Sequence, residues 1–229
     1  MLPFLLFAEN SLLLKNLNKS EEGDFVVIAQ GKSYTLFHIF DVKSPLITIE
    51  EITIPASLAC RQVKSWRAWV ENNAPKNTSW VHYQIDLQRG EIKNYYSFTK
   101  NGRFLVPEAE NFLGTLLRLE LQPIEGQFRR KVGQKRGGQD TRKFWQPNMV
   151  VNGRIQENVD FDAYHADWPH DGGPLSGKSI EIYLPHNEGD YPAYFPYWLQ
   201  TEGMIGQAKV RVVDSGKALH SPKKIYNSP

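Results

Sequence analysis

Apolar positions recur at strand-like spacing through the first hundred residues. Positions 24–28, 34–40 and 46–54 are three β-rich runs, separated by polar turns at 19–23, 30–32 and 43–45. Short strands at this spacing predict an antiparallel meander or a small barrel. In the third run Ile47, Ile49, Glu51 and Thr53 lie on one face, and Thr48, Glu50, Ile52 and Ile54 on the other. Alternation therefore leaves its inward face undecided. Positions 3–9 read as an earlier strand rather than a truncated signal peptide, because no Lys or Arg precedes the apolar run.

Positions 55–73 change period. Ala59, Val63, Trp66 and Val70 step by four, three and four, which predicts one main packing helix opened by Pro55 and stopped by Asn72, Asn73 and Pro75. Positions 79–99 return to alternation as a hairpin turning at Gln88-Arg89-Gly90-Glu91. A short helix is expected from 107 to about 117. Positions 122–148 carry Gly, Pro and charge with few apolar anchors and read as a loop or linker. Beyond it, 149–151, 179–184 and 207–213 read as strands among long turns, and the tail from 221 shows no packing pattern.

These elements predict an α+β, β-dominated fold. An antiparallel sheet or barrel-like body forms over 1–121, a basic linker over 122–148, and a loop-rich β subdomain over 149–229 that can extend the first sheet. Apolar residues at 41% and charged residues at 23% suit a globular chain and exclude wholesale disorder. A net charge of +2 argues against a globally basic nucleic-acid binder. No apolar run is long enough for a membrane helix, so a soluble cytoplasmic chain is expected. Compactness without low-complexity tails suggests a bacterial type. Cys60 is the single cysteine, which excludes an intrachain disulfide and a thiolate zinc site. Its place on the helix predicts an inert core thiol.

Four features carry candidate chemistry. Gly172-Gly173-Pro174-Leu175-Ser176-Gly177-Lys178-Ser179 matches the phosphate-loop spacing. That motif must follow a buried strand and open a helix. Here Pro169 precedes it and strand-like alternation follows, so the context argues against nucleotide binding. The second feature is the densest run of metal-ligand types, from Asp160 to Asp171, with Asp162, His165, Asp167 and His170 as candidate ligands of a divalent metal. A metal held there would activate water for hydrolysis. The competing reading is a loop capped by its Asp side chains.

The third feature is a basic loop. Arg129, Arg130, Lys131, Lys135, Arg136, Arg142 and Lys143 stand against Asp140 alone. Seven positives minus one negative give +6, which leaves −4 for the rest of a chain whose total is +2. Such a loop can bind anions or dock an acidic partner, with Phe144 and Trp145 beside it for stacking. No signature of specific nucleic-acid recognition accompanies it. The fourth feature is the aromatic content in apparent loops: Trp168, Tyr191, Tyr194, Tyr197 and Trp198 suggest a binding groove, or else glue between loops and sheet. The leading expectation is a binding module for a protein partner or for self-association, without a cofactor. The rival is a metal-assisted hydrolase centred on Asp162, His165 and His170.

Overall fold

The computed structural model describes residues 11–104, 112–134, 140–157, 159–186, 191–201 and 210–224. The strand expected at 3–9 lies outside them. In chain order the elements are α1 (Leu12–Asn18), β1 (Phe25–Gln30), β2 (Ser33–Lys43), β3 (Leu46–Pro55), α2 (Ala56–Gln62), α3 (Trp66–Glu71), β4 (Ser79–Asp86), β5 (Glu91–Ser97) and β6 (Gly102–Arg103). They continue with α4 (Phe112–Leu117), β7 (Gln122–Pro123), β8 (Lys131–Val132), β9 (Lys143–Phe144), β10 (Met149–Val151), β11 (Arg154–Gln156), β12 (Phe161–Asp167), β13 (Ser179–Pro185), β14 (Trp198–Thr201) and β15 (Val210–Gly216).

The fold is β-dominated. One eleven-stranded sheet runs β6-β5-β4-β3-β2-β1-β15-β14-β13-β12-β7, and β8 with β9 and β10 with β11 form two small ribbons. All its pairs are antiparallel. The first five strands form a meander, and β1 then pairs with β15. Tight turns set the early registers. Gln30 opposes Ser33, so two residues connect β1 to β2, and Gly31 takes the positive φ that such a turn needs.

Both faces of the sheet are covered. The first face holds Leu13, Leu14 and Leu17 of α1 and Leu113, Leu116 and Leu117 of α4 against Ile39, Ile47, Ile49 and Ile85, and continues over Ile180, Ile182 and Leu199. The second face buries Phe25, Val27, Leu36, Ile52, Ile54 and Trp80 beneath Ala59, Trp69, Val70 and Leu219. This is why alternation in β3 pointed nowhere: Ile47 and Ile49 enter one core while Ile52 and Ile54 enter the other.

The stretch 55–73 is not one helix. Val63 turns extended (φ −104°, ψ 102°) and ends α2, and the Ser65 side chain accepts the Ala68 amide to start α3. The break rotates the second half of the stripe, so Trp69 is buried and Trp66 only half-buried. Cys60, expected in the core, is exposed, because Ala59 beside it takes the inward side of α2. The tail is likewise structured in part: residues 218–224 lie across the second face, with Leu219 buried in its core.

Candidate functional site

The sequence candidates separate once they are placed. Residues three apart on a strand face opposite sides, so β12 divides Asp162 from His165. Asp162 pairs with His186 at 2.8 Å on an exposed surface. His165 and Asp167 line a cleft of about 470 Å³ together with Thr115, Arg118, Glu120 and Gln122. Asp167 accepts a 2.5 Å hydrogen bond from the Ser179 hydroxyl. His170 lies elsewhere, against Gly177, where an added Cβ would fall 2.4 Å from its ring. Among the described residues, no three His, Cys, Asp or Glu side chains could together hold a metal ion. In the 172–179 loop Lys178 turns its Nζ back onto the Pro174 carbonyl at 2.7 Å, and strand β13 follows where a phosphate loop needs a helix.

Most of the aromatic candidates are internal. Trp168 is buried, stacks on Phe112 at 5.4 Å and donates its indole N–H to Asp171 at 2.7 Å. Tyr194 donates to the Phe37 carbonyl at 3.2 Å, and the Tyr197 hydroxyl lies 3.0 Å from both the Pro192 carbonyl and the Ser215 hydroxyl. Burial pushes both phenols well above their ordinary range. These three rings glue loops to the sheet. Tyr191 and Trp198 are half-buried. Trp198 stands 4.8 Å from Trp145, which in turn lies under the Arg130 guanidinium at 4.9 Å.

That contact leads to the basic segment, where β8 and β9 pair Lys131 with Phe144 and Val132 with Lys143. Phe128 is 73% exposed, Val132 43% and Phe144 41%. Arg129 covers the Phe144 ring at 5.0 Å and donates to the Phe161 carbonyl. Lys131 reaches Asp140 at 3.2 Å, and Arg142 binds both oxygens of the same carboxylate at 2.9 Å. The Arg142 hydrogen bonds hold Asp140 far below the usual carboxylate range, with Lys131 adding to the effect. Lys143 is exposed. Lys135 and Arg136 lie outside the described residues.

The most elaborate polar cluster escaped the sequence reading. His38, Glu50 and His82 sit directly opposite one another across β2, β3 and β4. Their side chains share the second face, and Glu50 is 0% exposed. Its Oε2 accepts from His38 Nδ1 at 2.9 Å. Its Oε1 accepts from His82 Nε2 at 3.0 Å, Trp80 Nε1 at 2.8 Å and the Ser221 hydroxyl at 2.6 Å. Burial alone would raise this carboxyl, but the hydrogen bonds from His38 and His82 bring it down to about 2. The other nitrogen of His38 lies 3.1 Å from the Leu219 carbonyl. His82 Nδ1 is buried between the rings of Phe40 and Phe98 without a hydrogen-bond partner among the described residues. The signal was partial: His38 stands between Leu36 and Phe40 on its strand face, but Glu50 stands beside Thr48, and the His82 face continues to Gln84 and Asp86.

Comparison with known proteins gives a family and a fold. A family model described as CT021 protein matches residues 35–157. That span includes most of β2, all of β3 and β4, and the basic segment. No curated protein sequence matches the chain. The solved structure of the hypothetical protein CT021 from Chlamydia trachomatis superposes with a TM-score of 0.65 at 18% identity, covering 94% of this chain and 97% of that one. At that identity the likeness shows the shared β-rich α+β fold. The match takes in more than half of the 229 residues, and the chain belongs to the CT021 protein family.

Proposed function

We propose that this protein is a binding module that docks an acidic protein segment on the face made by β8, β9 and the turn at 125–130. The observation that carries the reading is the turn and ribbon side around Phe144: Phe144 is 41% exposed with Arg129 5.0 Å and Lys131 5.5 Å from its ring, the turn that packs on it through Gly126 carries Phe128 at 73% exposed, and Val132 pairs with Lys143 on the ribbon's other side. Single exposed apolar residues are ordinary, whereas a group of them rimmed by charge marks an interaction surface. The sign of the charge selects an acidic partner. Asp140 supports the choice, because Arg142 of the same segment already holds its carboxylate in two-pronged geometry and Lys131 adds a single contact.

Poly-L-glutamate is a suitable probe, followed through the fluorescence of Trp145 and Trp198. Binding is expected at low salt and should weaken as ionic strength rises. Phe128→Ser combined with Lys131→Glu should weaken it about tenfold or more, the size expected when an exposed anchor is removed. Equal binding by wild type and variant overturns the reading. So does a preference for an oligonucleotide of defined sequence that persists at physiological salt.

A further inference from the structure

We propose a second binding site on the opposite face of the sheet: the groove over β2, β3 and β4 is a peptide-recognition site, filled in this structure by the chain's own residues 218–224. Its ligand is a peptide from another chain that presents an apolar side chain, a hydroxyl two residues later and a cation two residues after that.

The strap makes every kind of contact that peptide recognition uses. Leu219, Ser221 and Lys223 turn inward, while Ala218, His220, Pro222 and Lys224 are exposed. Leu219 is buried among Leu36, Ile52 and Trp80. Its amide donates to the Gly23 carbonyl at 2.9 Å, and its carbonyl accepts from His38. The Ser221 hydroxyl donates to Glu50. The Lys223 ammonium stands 4.5 Å from the Trp80 ring and 5.6 Å from that of Phe98, an aromatic cradle for a cation. Gly23 keeps the entrance narrow, because a Cβ there would come within 2.9 Å of Ala218 Cα.

The polar floor is built to bind something. Without the strap, the buried outer nitrogen of His38 would lose the Leu219 carbonyl and Glu50 one of its four donors, and a buried polar group left unmatched is costly. The strap itself belongs to no strand pair of the sheet. Its backbone reaches the body through the Gly23 and His38 bonds, the kind of attachment that opens locally without unfolding a sheet.

The test keeps the full chain. Leu219→Ser, Ser221→Ala and Lys223→Ala together weaken the strap and leave the groove residues in place. The probe is a fluorescein-labelled peptide with the sequence of residues 217–224, read by anisotropy. It should bind the strap variant at least about tenfold more tightly than it binds wild type, in which the site is occupied. A peptide carrying Ser221→Ala and Lys223→Glu should bind the variant about tenfold more weakly. Equal binding of the two peptides, or none to a cooperatively folded variant, overturns the proposal. If the variant does not fold, amide exchange of the wild-type chain decides. Exchange of the Leu219 amide at least about tenfold faster than that of Ile49 and Ile52 supports a separable strap. Exchange only through global unfolding overturns it.

Discussion

Glu50 and Glu51 are neighbours in β3 and face opposite sides of the sheet, and their carboxyls move in opposite directions. Glu50 is fully buried, receives four donors and is brought down to about 2. Glu51 keeps a little exposure, lies under the first core, has one hydrogen bond among the described residues, from the Tyr83 hydroxyl at 3.2 Å, and is pushed up to about 7 by burial. Burial works against both charges. The number of donors aimed at each carboxylate decides the outcome. The second face has been furnished to hold a charge, and the first face has not.

Removing the better-furnished carboxylate should have the largest effect. Glu50→Ala leaves His38, His82, Trp80 and Ser221 without their acceptor, and breaking a buried charged pair from one side costs about 3–5 kcal/mol. Urea denaturation measures this, and a loss below about 1 kcal/mol would show that the four contacts contribute little net stability. The acid limb offers a second reading of the same variant. Glu50 is lowered on folding, so its contribution is present above about 4.5 and lost as pH falls through about 2. Wild type should lose stability across that window, with a shallower slope in the variant.

Glu51→Gln tests the other face and should act with the opposite sign. A carboxyl raised on folding favours the folded state most below its unfolded value of about 4.5 and loses that advantage as pH rises through about 7. The variant should match wild type near pH 4 and melt a few degrees higher at pH 8, since about 1 kcal/mol moves a domain of this size by roughly 2–4 °C. Parallel melting curves from pH 4 to 8 would erase the contrast between the two residues. The smallest effect belongs to Tyr83→Phe, which removes the one donor that Glu51 has among the described residues. It should cost about 0.5–1.5 kcal/mol in denaturant titrations at pH 8, the net worth of one hydrogen bond. A loss as large as that of Glu50→Ala would mean that one donor serves as well as four.

The alternation that announces β2, β3 and β4 is local and was therefore readable. What alternation cannot convey is a strand with two dry faces, because it presupposes one wet one. Glu50 and Glu51 consequently looked alike. The row His38–Glu50–His82 also needs two registers. The first needs both the two-residue turn at Ser44 and Pro45 and a bulge at Phe40, because Lys43 opposite Leu46 would by itself bring His38 to Glu51. The second joins β3 to β4 across α2 and α3, and no short turn encodes it. The unbroken period of Ala59, Val63, Trp66 and Val70 hid the break at Val63 and the Ser65 cap that follows it. At the basic segment the charge was visible in the sequence, whereas the use of Asp140 by Lys131 and Arg142 emerges only in three dimensions. The dense run from Asp160 to Asp171 shows the converse: closeness along a strand sends alternate side chains apart.

The pairing of β1 with β15 sets an order of events during synthesis. Val26 meets Ser215 in the middle of the sheet, about as far along the chain as two partners here can be. The meander from β1 to β5 closes through short connections and can form early. The free edge of β1 must then wait, its amides and carbonyls unmatched, until residue 216 has been made. Contacts between such distant residues are slow to form. An apolar strand edge left open in the meantime is a template for joining the wrong chain. The same pairing that unites the finished sheet makes the nascent chain's central strand its most vulnerable border.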